Sequence, residues 1–279
     1  MAATPTQTQT AEIRFEFGEN WRRFLAVLDE ERIKEAERAL CGMLECNSLQ
    51  GLSFVDLGSG SGLSSLAAFR LGASRVHSLD VDPGSVGCTQ ELKSRYAAGA
   101  SNWTIEQASV LDREHIESLD EFDIVYSWGV LHHTGDMWSG LENAALSVTP
   151  GGRLFIAIYN DRGARTDRWR SVKRMYNKLP PWLRMPYVAV VRAPFELKAM
   201  LDALVRLQPQ RYIRAWTDYK RSRGMSRWHD MVDWVGGYPF EVASPERIFE
   251  FYRDRGFTLV KIATDPGQNQ FVFQRAGGH

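Results

Sequence analysis

An ordered alternation of short apolar runs with helical segments, opened by one glycine-rich turn, restricts this chain more than any other feature. LSFVDLGSGSG (52–62) reads as a strand running into glycines at 58, 60 and 62. LSSLAAFRLG follows as a short helix closed by Gly72. VHSLDVDPG is a second strand ending in acids, SVGCTQELKSRY a helix, WTIEQ a third strand and FDIVYSWGV a fourth. MWSGLENAALSV places Trp138, Leu141, Ala145 and Val148 on one helical side. Pro150-Gly151-Gly152 reads as a turn before a fifth strand, RLFIAIYN. Ser244-Pro245-Glu246 starts a further helix that stops at Gly256. FTLVKIAT and NQFVFQR are two last strands joined by Pro266-Gly267. Such β-α alternation predicts an α/β fold, a mostly parallel sheet with helices on both faces.

The alternation is interrupted from Asp161 to Ala243. This stretch is helical in character, and Pro180, Pro181, Pro186, Pro194 and Pro209 are expected to break it into pieces. Residues 161–223 hold 16 Lys/Arg against 5 Asp/Glu, although the whole chain has 34 of each. The global balance excludes a strongly basic field for nucleic acid, and leaves a local patch. Three readings of the patch stand: a solvated basic face, a cap selecting an anionic or lipid-linked acceptor, or a contact for RNA or acidic protein. Trp182–Leu207 is apolar with interspersed Arg and Lys, as in a helix lying on a membrane surface, so a peripheral membrane contact is one expected partner.

At the N-terminus, 1–10 reads as a disordered tail and 11–48 as a helical segment covering the glycine turn. One helix is expected from Asn20 to about Cys46, with Ile33, Ala36, Leu40 and Leu44 as its apolar stripe, preceded by Phe15, Phe17, Trp21 and Phe24. The core is then 49–161 with 243–279, and 162–242 is a helical cap. No secretory signal and no bilayer-length apolar run is seen. Cys41, Cys46 and Cys88 form no metal or disulfide pattern and read as reduced thiols of a cytoplasmic protein.

The turn Asp56-Leu-Gly58-Ser59-Gly60-Ser-Gly62 lies where an open α/β sheet binds ligands. A plain tight turn is the bland alternative. Against it, the loop follows a strand and opens a helix. Asp80 ends the next strand, where a carboxylate can accept hydrogen bonds from ribose hydroxyls. Leu63 stands where a dinucleotide fingerprint needs its third glycine, and no Walker lysine is near. Asp56, two residues before the first glycine, suits a ligand bearing an ammonium group. Electrostatics favours S-adenosylmethionine over a pyrophosphate ligand.

At these residues the chain resembles the class I S-adenosylmethionine-dependent methyltransferases. FVDLGSGSG, VHSLDVDP, QASVLD, FDIVYSWGVLHHTGD and LSVTPGGRLFIAIYND match five ordered motifs, over roughly 50–161 and 243–275. The resemblance looks closest to the small-molecule branch that includes ubiquinone-biosynthesis-like enzymes (methyltransferase type 11/12). It implies a Rossmann-like, doubly wound seven-stranded sheet with the last strand antiparallel. It implies that Asp56, Gly58, Ser59, Gly60 and Gly62 cradle the cofactor, that Asp80 and Val81 meet the ribose, and that Ser109, Val110 and Leu111 meet the adenine. Ser127, Trp128 and Trp21 complete that set. Two departures stand out. Ser109 replaces the usual acidic residue, and His132-His133 replace a Glu-His pair.

Methyl transfer to a hydroxyl or ammonium needs an agent to take a proton, and His is the usual one near neutral pH. His133 is favoured as that residue, His132 second; the bland alternative is that both only tie the sheet ends together. Tyr159, Asn160, Asp161, His229, Asp230, Tyr238 and Glu241 are expected to line the acceptor cleft. No metal is expected. Ser127-Trp128-Gly129-Val130 lacks the Pro-Pro run typical of base methylation, so nucleic acid is not the expected acceptor. The leading expectation is O-methylation of a small molecule, with N-methylation second. The rivals are an RNA or protein methyltransferase using the basic insertion, and a non-catalytic cofactor-binding protein.

Overall fold

The computed structural model describes residues 18–217, 227–265 and 267–278. The expected tail, Phe15, Phe17 and Pro266 lie outside these residues. Two helices, α1 (Gly18–Leu25) and α2 (Glu30–Leu44), precede β1 (Ser53–Leu57). Then come α3 (Leu63–Arg70), β2 (Arg75–Asp80), α4 (Pro83–Tyr96), β3 (Trp103–Gln107), α5 (Arg113–Ser118) and β4 (Phe122–Trp128). A 3₁₀ turn (Leu131–His133) leads to α6 (Met137–Leu146) and β5 (Val148–Tyr159). The insertion carries α7 (Ala164–Lys178), α8 (Pro181–Val205), α9 (Pro209–Thr217) and α10 (Arg227–Gly236). The chain closes with α11 (Pro245–Arg253), β6 (Phe257–Thr264) and β7 (Gln268–Arg275).

The strands form one seven-stranded sheet in the order β3-β2-β1-β4-β5-β7-β6, with β7 antiparallel to both neighbours. The expected fold class is therefore the observed one. Period-2 alternation divides the strands between two cores. Val55, Val125 and Ile156 face α5, α6 and α11, where Ile116, Leu141 and Tyr252 are buried. Phe54, Ile124 and Phe155 face α1 to α4, burying Phe24, Ile33, Leu66 and Leu92. The sheet order reverses between β1 and β4, so their carboxyl ends open a crevice at a topological switch point.

Three expectations about elements need correction. The single N-terminal helix is two. Asp29 takes an extended conformation and accepts a hydrogen bond from the Arg32 amide at 2.9 Å, capping α2 and ending the run from α1. Pro150-Gly151-Gly152 is not a separate turn but lies inside β5, as an irregularity. Phe122 pairs with Val148, yet Ile124 already pairs with Arg153, so the extra β5 residues loop out of register. Pro186 and Pro194 do not break the cap, because α8 runs through both. Each proline removes one donor to the carbonyl four residues back, on Trp182 and Val190. Both of those residues are exposed, so water can take the freed carbonyls.

The insertion returns where it left. The Asp161 amide donates to the Ala243 carbonyl, and the Ala243 amide to the Tyr159 carbonyl. Between these ends Tyr176, Val188, Met231, Val232 and Val235 form a small core of their own.

Candidate active site

Gly58, Gly60 and Gly62 have φ of +89°, +54° and +79°, conformations that L side chains rarely adopt. The Gly58 and Ser59 amides donate to the Leu79 carbonyl, holding the loop against the end of β2. The glycines also admit neighbours. A Cβ on Gly58 would lie 2.4 Å from Val130 Cγ1, one on Gly60 2.9 Å from the Trp21 indole, and one on Gly62 2.8 Å from Thr89 Cγ2. Each of these positions is therefore closed to a side chain by a neighbour already packed against it. Ser59 is buried with its hydroxyl 3.0 Å from that of Thr89.

Asp80 sits at the end of β2, largely buried. Its Oδ2 accepts from the Gly60 amide at 2.9 Å and its Oδ1 from the Asp82 amide at 2.9 Å. Burial raises its pKa, and these backbone donors oppose the rise. Asp56, 2 % exposed, accepts a hydrogen bond from the Ser65 hydroxyl at 2.7 Å. Among the described residues no salt bridge reaches it. Burial, offset in part by Ser65 and reinforced by the Asp80 charge, lifts its pKa to about 7. Two carboxylates thus flank the glycine turn, one at its rim and one at its floor.

The remaining cofactor-set residues divide. Trp128 and Val81 are exposed at the strand ends. Ser127 is fully buried and donates to the Leu57 carbonyl at 2.8 Å, so its hydroxyl joins β4 to β1 instead of facing the crevice. The Ser109 hydroxyl accepts from the Leu111 amide at 3.1 Å, and Val110 is buried with its carbonyl on the Asn143 amide group. Asp112, next along, caps α5 by accepting from the His115 amide.

The 3₁₀ turn after β4 separates the two histidines. His132 is fully buried, its ring centroid 3.9 Å from that of Tyr159, and among the described residues neither ring nitrogen meets a well-aligned hydrogen-bond partner, the Ala157 backbone being the polar group beside it. Burial first, then His133 and Lys173, press its pKa well down, so it is neutral. His133 is only partly covered, and its Nδ1 lies 2.6 Å from the Pro239 carbonyl. A carbonyl only accepts, so Nδ1 carries the proton and the neutral ring keeps its lone pair on Nε2. Burial and the Lys173 charge lower the His133 pKa to about 3. Tyr159 also meets the His133 ring edge-on at 5.4 Å and Phe240 at 5.5 Å. His77 and His115 stand apart, both 2.8 Å from Glu106 Oε1.

Several expected acceptor residues are used structurally. Both ends of the Asn160 amide are engaged, with the Asp265 carbonyl and the Asn269 side chain, fastening β5 to the β6–β7 connection. Asp161 is exposed and accepts from the Gly163 amide at 2.9 Å. Glu241 accepts from the Gly135 and Met137 amides at 3.0 and 3.1 Å, so its carboxylate caps the first turn of α6. Burial raises its pKa, and those same amides oppose it. Tyr238 stays partly covered beside Pro239. His229 and Asp230 belong to α10, and their side chains fall outside the described part.

Sequence reasoning missed Lys173. It is buried on α7, donates to the Trp234 carbonyl, and has its ammonium 4.8 Å from the Phe240 ring centroid. Within a run of 16 basic residues it has no mark of its own. Only its spacing from the other buried α7 residues, Thr166 and Tyr176, betrays an inward face. Among the described residues no cluster of His, Cys, Asp and Glu is placed to hold a metal ion.

Residues 55–154 match a family model described as a methyltransferase domain. A ubiquinone biosynthesis O-methyltransferase of Rhizobium etli is 34% identical over 112 residues, 40% of this chain and 43% of that protein. One from Rhodopseudomonas palustris is 30% identical over 134 residues, 46% of this chain and 50% of that protein. The chain thus spans about half or less of the length of these relatives. Among solved structures, magnesium protoporphyrin IX methyltransferase of Synechocystis with bound SAH superposes with a TM-score of 0.54 at 13% identity, covering 92% of this chain and 95% of that one. The N-methyltransferase NodS of Bradyrhizobium japonicum superposes with a TM-score of 0.51 at 14% identity, covering 94% and 99%. These likenesses establish the fold.

Proposed function

We propose that this chain, whose core carries a methyltransferase domain on the class I fold, transfers the methyl group of S-adenosylmethionine to a small-molecule acceptor, with oxygen as the atom methylated. The observation that carries the reading is the pair of carboxylates on the glycine turn. Asp80 is held at the rim by backbone amides, and Asp56 lies buried at the floor at the β1/β4 switch point. Asp80 retains lone pairs that suit two ribose hydroxyls. Asp56 supplies a negative site for an ammonium. The names of the Rhizobium relative and of the Synechocystis neighbour support the same cofactor and chemistry.

When bound, the cofactor supplies a methyl group already activated on a sulfonium. The residues of the chain then have three tasks. They hold the acceptor in line, which is worth roughly 7–11 kcal/mol of barrier when orientation is complete. They exclude water, here with Tyr159, Phe240 and the buried His132. They receive the acceptor proton, and His133 Nε2 carries the lone pair for it. The low basicity of His133 suits a late transfer, because a hydroxyl proton becomes strongly acidic as its oxygen is alkylated.

The test is titration calorimetry. Asp80→Ala is expected to weaken S-adenosylhomocysteine binding roughly 10–100-fold, the loss of a charged hydrogen-bonding group worth about 1.5–3 kcal/mol. Unchanged affinity removes Asp80 from the site, and binding of NADH in place of S-adenosylhomocysteine overturns the reading. Binding should also be pH-linked. Free Asp56 titrates near 7, above its ordinary range, so it is mostly neutral at pH 6 and charged at pH 8. An ammonium beside it lowers that pKa, so binding below pH 7 releases a proton and affinity rises with pH, by up to about tenfold per unit. Buffers of different ionisation heat should give different apparent enthalpies at pH 6. Asp56→Asn should abolish both effects.

A further inference from the structure

We propose that α8 and α9 form a docking face for the surface of an anionic lipid bilayer. The face is the reverse of an ordinary surface helix. Val190, Leu197, Leu201 and Leu204 recur at spacings of seven, four and three, and so share one side of α8. They are 71%, 53%, 49% and 50% exposed, while the opposite side buries Val188 and Ala203. Val205, the last residue of α8, and Leu207 just beyond it are exposed apolar residues too, as is Ile213 on α9. An apolar stripe of this size turned to solvent marks an interaction site.

Charge decides the occupant. Lys198, Arg206, Arg211 and Arg214 are all exposed around the stripe. Across α8 and α9 the acidic residues are Glu196 and Asp202, and Glu196 is turned onto Arg192 and the Tyr212 hydroxyl. A second copy of this face would oppose one basic rim with another. An anionic headgroup layer neutralises the rim, while the apolar side chains enter the boundary below it, to about 5–10 Å. Among the described residues no helix is long and apolar enough to cross a membrane, so contact is lateral. The helix is 25 residues, about 37 Å long, and would lie along the bilayer plane. Docking does not depend on the chemistry proposed above, although α7 and α10 pack on α8 and α7 carries Lys173, whose charge reaches the histidines.

The experiment is flotation of the full chain with vesicles of phosphatidylcholine alone and of phosphatidylcholine mixed with phosphatidylglycerol. Binding is expected to the mixed vesicles at low salt, with at least tenfold less to the neutral ones, and a steep fall as salt is raised. Leu197→Ser/Leu201→Ser/Leu204→Ser should lower binding at least tenfold, and Lys198→Glu/Arg206→Glu should lower it as much while removing most of the salt dependence. Both should keep wild-type S-adenosylhomocysteine affinity and melting temperature, because every altered residue is exposed. Equal binding by the variants and the wild type, or binding indifferent to lipid charge, overturns the proposal. So does a wild-type chain that ignores both vesicles. If the leucine variant instead converts a dimer to a monomer in sedimentation, the face belongs to a second copy.

Discussion

Replacing His133 with alanine is expected to lower methyl-transfer turnover about 10²–10⁴-fold while leaving cofactor affinity within a factor of two or so. The size follows from what the residue holds. Its Nδ1 is committed to the Pro239 carbonyl, which fixes both the ring's orientation and the nitrogen that carries the lone pair. Loss of the ring removes an oriented proton acceptor, and among the described residues the neighbouring His132 is no substitute, because it is sealed beneath Tyr159. With its pKa pressed to about 3 by desolvation of the ring and the Lys173 charge, His133 remains neutral from pH 5 to 8. Turnover at saturating cofactor should therefore show no histidine limb near 6.5, and an acid limb should appear only as pH approaches 4. A limb at 6.5 that vanishes in His133→Ala would mean the ring is far better solvated than the structure places it. If His133→Ala and His132→Ala both keep wild-type rates from pH 6 to 9, the acceptor needs no protein base. An already neutral amine or a thiol then becomes the better acceptor.

Gly58→Ala should be the most damaging single methyl addition in the cofactor loop. Two costs coincide there. Alanine at φ +89° is conformationally strained by roughly 1–2 kcal/mol, and its Cβ would meet Val130 Cγ1 at 2.4 Å, an overpacking worth about 1–3 kcal/mol. At about 2–4 °C per kcal/mol for a chain of this size, the melting temperature should fall by several degrees, and cofactor binding should weaken at least tenfold. Val130→Ala in the same molecule should recover the packing part and leave the backbone part. A Gly58→Ala protein that melts and binds like wild type would show that the loop is not held as described. Gly51→Ala is the control, since it also has a positive φ but, among the described residues, nothing within 4 Å of its Cβ. It should show the strain without the clash.

Some of this was legible along the chain, because it depends on near neighbours. The short apolar runs predicted the strands, and the pleat then sends alternate residues of each to opposite cores, as it does Phe54 and Val55. Ser244 and Pro245 announced α11 because a cap needs only the amide three residues on. Asp80 stood out because strand, turn and acid follow one another within one β-α unit. Pro186 and Pro194 misled for the complementary reason. A proline's cost depends on whether the carbonyl it frees can reach water, and that is decided by which side of α8 faces out.

What the residue order determined by itself is the alternation of strands and helices, the glycine turn and the pair of acids beside it, all products of short-range patterning and backbone freedom, while the seven-stranded sheet was implied by the family resemblance. Tertiary structure decided the rest. It determined that Val130, Trp21 and Thr89 fill the spaces the glycines leave, and that Ser127 ties two strands together. It turned Glu241 onto the start of α6, and brought Lys173 from the insertion to the histidines. His132 and His133 are adjacent and chemically identical, and no local pattern separates them. The sheet on one side and Pro239, 106 residues further on, separate them, because burial and hydrogen bonding act through space and not along the chain.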